Sequence, residues 1–458
     1  MSRDDALQKS ALFVTTVTAF MAPFMVSSVN VALPAIQDDL GADAVLLGWI
    51  ATSYLLATAI ILVPAGKFAD IYGRKKVFIS GVIIYTAGSA ASVLVPDVAW
   101  FLAMRGVQGI GAAMFITTGM AILTSVFPRE KRGRGIGILV TSVYVGLATG
   151  PFVGGFLTGL LGWRSIFVLM VLLGLISLAI AVRFLKGEWA EARGEKFDIQ
   201  GAVIYAVAIF LLVYGATRIL DREAAILFFA GCLGLVLFYR RQKKTPYPVF
   251  EVGLFQGNRT FLFSSLAALI HYAATFAVTF QISLYLQYLK GMEPQSAGTI
   301  LMIQPVMMAL FSAQAGKLSD TVQPRVLASA GMSLTALGLA FFVFLGESTE
   351  LWLIASNLAL LGFGFALFSS PNMSAIMGSV ERRQYGIASG TVATMRLLGQ
   401  MFSMAIATVF LAIFIGRQEI RVENYPLFQT SMQACFMFFV LLCVVGIGFS
   451  LFRGDVGK

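Results

Sequence analysis

Apolar residues in this chain do not alternate with polar ones at the spacing of a soluble helix or strand. They come in long runs separated by short polar stretches. Runs long enough to cross the ~30 Å hydrocarbon layer at about 1.5 Å per residue fall near 10–34, 46–68, 77–95, 98–124, 134–160 and 164–184. Two more lie at 198–218 and 223–240, and six follow at 259–289, 295–316, 325–346, 350–377, 386–416 and 429–452. The pattern predicts an all-α membrane protein of 14 transmembrane helices.

Lysine and arginine test that count. With the chain start placed in the cytoplasm, 25 of the 33 basic residues fall on the inner side and 6 on the outer: Arg164, Arg218, Arg222, Lys290, Arg417 and Arg421. Arg105 and Arg396 lie within spans. Dropping one span would reverse the side of every later loop and spoil the segregation. The expectation is therefore a multi-pass protein of the cell membrane with both termini cytoplasmic.

Composition agrees, with 58% hydrophobic and only 12% charged residues, about half the charge of a soluble domain. The net charge of +10 is sorted by membrane side, so it reads as topogenic and not as a nucleic-acid footprint. The first run is too long for a signal-peptide core and is read as a retained span. Cys232, Cys435 and Cys443 sit in apolar runs, where free buried thiols are the expectation. With one histidine and no metal-ligand spacing, the sequence offers no catalytic constellation, cofactor or metal site.

An internal echo divides the chain. "GKFADIYGRKKV" at 66–77 follows the second span and "GKLSDTVQPRVL" at 316–327 follows the tenth, an offset of 250. This predicts two pseudo-symmetric six-helix bundles in parallel orientation, 1–184 and 259–458, with 185–258 a linker carrying helices 7 and 8.

Four motifs, in order and on the predicted helices, carry a resemblance. The 66–77 loop is similar to the loop between helices two and three in the major facilitator superfamily. "FLAMRGVQGIGAAM" at 101–114 looks like its fourth-helix motif, with Arg105, Gln108 and Gly109 in place. "GLATGPFVGG" at 146–155 matches the fifth-helix Gly-Pro motif of drug/proton antiporters, and "VNVALP" at 29–34 resembles the first-helix end of the fourteen-helix branch. The resemblance implies a monomeric transporter, not an enzyme, that exports hydrophobic or amphipathic small molecules by proton antiport and alternating access. Its partners would be substrate, protons and the lipid bilayer.

Each motif also has its own physical reading. Gly66 and Gly73 let two spans turn closely, Asp70 can accept from helix N-terminal amides, and Arg74 holds the inner face. Together they make a candidate latch. The second copy keeps Asp320 but has Gln323-Pro324 and lacks the glycine. Gly146, Gly150 and Gly154 form one small stripe beside Pro151 and Gly155, suited to close helix contact with a bend. Arg105 is costly in hydrocarbon. A clamp onto Asn30 or a first-helix carbonyl is favoured over direct substrate contact.

In the fourteen-helix branch an aspartate usually stands nine residues before the "ALP" proline, and here that place is Met25. Asn30 is no simple substitute, because five residues put it about 140° round the helix. All 23 acidic residues fall in loops or at span ends. Arg105, His271 and Arg396 are the ionisable side chains left inside, cysteine and tyrosine apart. His271 heads a stripe with Ser264, Ala268, Thr275 and Thr279 that looks like a cavity wall. It is a candidate proton carrier, a candidate substrate ligand, or a neutral core histidine satisfied locally. Phe20, Phe24, Met307 and Met308 are candidate lining, with Gln281, Gln304, Asn357 and Asn372 as polar candidates. A cavity with arginines and no acid favours neutral or anionic amphiphiles over lipophilic cations. A lipid exporter, an uncoupled facilitator and a non-transporting receptor remain alternatives.

Overall fold

The computed structural model describes residues 3–218, 222–381 and 384–454. Among these it contains helices and no strand. Fourteen helices are long and apolar enough to cross a membrane: α1 (Leu7–Leu40), α2 (Ala44–Tyr72), α3 (Arg74–Val93), α4 (Val98–Val126), α5 (Lys131–Leu161), α6 (Arg164–Phe184), α7 (Ile199–Thr217) and α8 (Arg222–Gln242). The second series is α9 (Arg259–Leu289), α10 (Pro294–Leu318), α11 (Pro324–Val343), α12 (Leu351–Gly378), α13 (Ile387–Phe414) and α14 (Val422–Phe452). The helices outrun several expected spans because polar ends continue them into water; α1 carries Asp38 and Asp39 in its last turn.

Short polar residues set the helix starts. Asp43 accepts the Leu46 amide at 2.7 Å, Asp97 the Trp100 amide at 2.9 Å, and Asn258 the Phe261 amide at 2.9 Å. Each satisfies a backbone donor that the first helical turn cannot. Helix α9 breaks at Phe276 and ends in a π turn over Tyr285–Leu289. At the break, the Ser403 hydroxyl of α13 accepts the Ala277 amide at 2.9 Å.

Helices α1–α6 pack on one another, as do α9–α14, while α7 and α8 form a pair whose α7 rests on α2 and α13. The Tyr205 hydroxyl fastens that pair by donating to the Ala59 carbonyl at 3.1 Å. We call the face carrying the 66–77 loop the basic face and the opposite one the far face. The bundles are joined at the far face. There Ser283 donates to the Asn30 carbonyl at 2.8 Å, Gln287 to the Val31 carbonyl at 2.9 Å, and Gln37 to the Ile420 carbonyl at 3.1 Å. The Ala44 amide adds a bond to the Gln418 carbonyl at 2.9 Å. Among the described residues, no hydrogen bond joins the basic-face halves of the two bundles. Leu62, Ala113 and Leu397 meet at mid-depth. Among the described residues, the hydrogen bonds between the bundles therefore gather at the far face.

Candidate functional site

Arg105 is buried, with 1% exposure, and its clamp differs from the one expected. Its Nε donates to the Ile50 carbonyl of α2 at 3.2 Å and its Nη1 to Gln108 Oε1 at 2.8 Å. Gln108 in turn donates to Ser89 of α3 at 2.8 Å, and the guanidinium lies 4.6 Å from the Tyr54 ring centroid. The arginine ties α4 to α2 and α3, not α4 to α1. Asn30 Oδ1 makes no hydrogen bond among the described residues; the carbonyl of Asn30, not its side chain, works in the far-face latch. Depth along a helix was legible from the sequence, but the azimuth that turns Arg105 toward α2 was not.

The α5 glycines divide between two partners. A side chain at Gly146 would meet the Phe20 carbonyl at 2.5 Å, one at Gly150 the Ser27 Cβ at 2.6 Å, and one at Gly154 the Ser28 Cα at 2.6 Å. Ser28 also donates to the Gly150 carbonyl at 2.8 Å. This stripe brings α5 against α1 within one bundle. Gly155 and Pro151 face the other bundle, where Gly155 abuts the Pro294 carbonyl and the Pro151 carbonyl abuts Gly298. One motif therefore serves both packing within a bundle and contact between the bundles.

The 66–77 loop is held by the segment after α6, which the sequence reading treated only as a linker. Arg74 donates through Nε to Asp70 at 2.8 Å and through Nη1 to Glu191 at 2.7 Å and Ser125 at 3.0 Å. The Lys75 amide donates to Glu188 at 2.8 Å, Lys67 pairs with Glu195 at 2.5 Å, and the Ala192 amide donates to the Asp70 carbonyl at 2.9 Å. The α3 N-terminus thus receives Glu188 and not Asp70. A carboxylate there complements the unpaired amides and the helix dipole. Gly66 brings α2 close to Thr117 of α4. In the second half, Asp320 is exposed and makes no side-chain hydrogen bond among the described residues.

The expected wall on α9 is closed. Ser264, Ala268, His271 and Thr275 are all buried, and Thr275 donates to the His271 carbonyl at 2.7 Å. The imidazole packs 4.0 Å from the Phe368 ring centroid and 5.1 Å from that of Phe365, with neither nitrogen hydrogen-bonded among the described residues. Met25 is fully buried, Phe24 stacks on Phe20 at 5.1 Å, and Gln281 is buried beside Cys435. Gln304 and Met308 are buried, and Gly362 packs against the Gln304 carbonyl and the Met307 side chain. Asn357 and Asn372 hold backbone carbonyls at 2.8 and 3.0 Å. Asp198, outside the spans, is the single acid among the buried described residues.

Arg396 is different, because it is only partly buried. Arg396, Ser369 and, from α5 of the opposite bundle, Tyr144 all act electrostatically on the Tyr272 hydroxyl. Tyr272, Ser369 and Tyr144 were missed by sequence reading. Tyr272 is one residue past His271, a turn of about 100°, and only the packing shows which of the two faces the seam.

Comparison with known proteins agrees with this architecture. A Riboflavin transporter RibZ from Clostridioides difficile is 27% identical over 409 residues, covering 89% of this chain and 88% of that protein. Multidrug resistance protein Stp from Mycobacterium tuberculosis is 29% identical over 418 residues, 89% of this chain and 77% of its own length. A solved peptide transporter POT shares the fold, with a TM-score of 0.71 at 13% identity over 99% of both chains. The profile of the Major Facilitator Superfamily matches residues 15–403 and again 264–458. Matched across both halves and built from the spans that such a profile requires, the chain belongs to the major facilitator superfamily of membrane transporters.

Proposed function

We propose that this transporter exports neutral or anionic amphipathic small molecules from the cytoplasm by proton antiport and alternating access. The observation that carries the substrate class is the mid-membrane group of Arg396, Tyr272, Ser369 and Tyr144, with no carboxylate buried nearby among the described residues. A fixed cation and phenolic hydroxyls in a low-dielectric setting favour an anion or a polarisable neutral ring and repel a lipophilic cation. A riboflavin transporter and a multidrug resistance protein among the relatives support a ring-bearing amphiphile. The basic face is taken as cytoplasmic because the sequence assigns 25 of the 33 lysines and arginines to the segments of that side. The hydrogen bonds that join the bundles then lie on the side away from the cytoplasm.

His271 is the proton carrier in this reading. A buried imidazole with no partner is costly, and it sits one turn before the α9 break that Ser403 holds.

The test is efflux from proteoliposomes loaded with anionic, neutral and cationic amphiphiles, riboflavin among the neutral ones, with and without a pH gradient. Gradient-driven flux of anionic and neutral compounds is expected, and Arg396→Gln should lose the anionic ones first. Preferential flux of cations by the wild-type protein would overturn the substrate class.

A further inference from the structure

A groove of about 530 Å³ runs along the flank of the first bundle, between α5 and α6 with α1 as its floor. Val17 and Phe20 of α1, Arg134, Ile138 and Val145 of α5, and Leu173 of α6 line it. Its mouth is turned toward lipid. On α5, Ile138, Val145, Phe152 and Phe156 are exposed and lie seven, seven and four residues apart, one stripe of a helix. Pro151 and Gly155, one residue before the last two, face α10, so the stripe is turned about 100° from the seam.

Length and charge say what fits. Arg134 to Val145 spans eleven residues, about 16 Å, close to the roughly 15 Å depth of one leaflet. The groove therefore begins at the headgroup level of the basic face and ends near the bilayer centre. Arg134 is exposed and makes no ion pair among the described residues. Lys131 and Arg132 add two more cations within one turn of it. One end is cationic and the rest is mostly apolar. A free anion would leave the apolar wall unused, and a cationic amphiphile would meet repulsion at the entrance.

We propose that the groove seats an anionic phospholipid of the basic-face leaflet, its phosphate on Arg134 and one acyl chain along Phe20, Ile138, Val145 and Leu173. The seat is separate from the Arg396 group and stands whatever the substrate is. It lies beside the place where Gly146 meets the Phe20 carbonyl, so an occupied groove braces the α1–α5 contact of the helix that also bears Pro151 and Gly155.

The test is native mass spectrometry of the full chain exchanged into mixtures of phosphatidylglycerol and phosphatidylcholine, with thermal melting alongside. Wild type should retain phosphatidylglycerol preferentially and melt higher with it, by about fivefold in affinity for each engaged cation. Arg134→Gln should lose that preference, Arg134→Lys should keep most of it, and Ile138→Trp, which fills the groove, should lose the retained lipid. An unchanged preference in Arg134→Gln or Ile138→Trp would overturn the seat. Displacement of the lipid by inorganic phosphate alone, or by transported substrate, would overturn it in favour of a plain anion site or a substrate entrance.

Discussion

The Glu188 carboxylate occupies the space that a side chain at Gly73 would need, with its Oε1 2.5 Å from where a Cβ would stand. Gly73 also has φ of 119°, which an L side chain rarely adopts. Gly73→Ala should therefore cost stability twice, through backbone strain of about 1–3 kcal/mol and through eviction of Glu188. Melting temperatures of Gly73→Ala, Glu188→Ala and the double variant separate the two. A double variant less destabilised than the sum of the singles is the expected outcome. Strict additivity would show that Glu188 is not the group displaced.

Asp198 supplies a second contact in the same region with a sign that can be worked out. It accepts the Gly201 amide at 3.0 Å, Arg241 Nη2 at 2.6 Å and Gln242 Nε2 at 2.9 Å. Burial pushes its carboxyl upward, but the Arg241 bond, the Gly201 amide and Gln242 together outweigh that and hold it below the ordinary carboxylate range. A folded value below the unfolded one contributes stability above the ordinary aspartate pKa, and that stability is lost as pH falls through the folded value. The α7–α8 pair should loosen below about pH 4. Hydrogen exchange of α7 and α8 across that range checks it, and Asp198→Asn should flatten the acid limb. An acid limb identical in both proteins would discard the assignment.

The spans were legible because the bilayer imposes a length and an apolar content that composition alone reveals, and all fourteen helices stand where runs such as 164–184 placed them. The small stripe of Gly146, Gly150 and Gly154 was legible as tight packing, since nothing larger admits backbone contact. What escaped was azimuth and partner. Arg105 could be placed in depth but not aimed at Ile50, and His271 and Tyr272 could not be told apart as core and seam. The segment after α6 was also opaque. Its glutamates find Arg74 and Lys67 through a tertiary approach across more than 100 residues, which no local periodicity encodes.

Arg105 is the place where a conservative change should fail. Its guanidinium makes two bonds in diverging directions, to the Ile50 carbonyl and to Gln108, and lies 4.6 Å from the Tyr54 ring centroid. An ammonium is a point donor and cannot reproduce the fork. Arg105→Lys should fold yet lose transport by roughly tenfold or more, the worth of one charged hydrogen bond. Initial flux rates at matched protein amounts are the measurement. Wild-type flux in Arg105→Lys would reject the clamp.

His271→Gln distinguishes a proton carrier from core packing. Glutamine keeps the polarity and approximate reach but does not titrate, so substrate binding and folding should persist while flux stops responding to an imposed pH gradient. Flux is compared at equal substrate gradients with the pH gradient on, off and reversed. If His271 only fills space between Phe365 and Phe368, then His271→Gln will retain the wild-type response, and His271→Leu will retain it too.

Alternating access requires the far-face latch to break, and Gln37 with Ile420 is the place to hold it shut. The Gln37 side chain donates to the Ile420 carbonyl at 3.1 Å while its own carbonyl accepts the Ile420 amide at 3.4 Å, so the two residues meet across the bundles on both sides of one amide. Cysteines at these two positions, in a background with Cys232, Cys435 and Cys443 replaced by alanine or serine, are expected to cross-link on mild oxidation. Gln37 lies in the last turn of α1 and Ile420 in the loop before α14, both buried, so the link forms inside the closed far-face contact. If the bundles rock about the seam, oxidation should stop net flux while leaving binding from the basic face intact, and reductant should restore flux. Binding serves as the control for damage, because a misfolded protein loses both activities and a locked one loses only transport. Undiminished flux through fully cross-linked protein would mean that substrate crosses without parting these residues, and the two-bundle rocking mechanism would have to be abandoned.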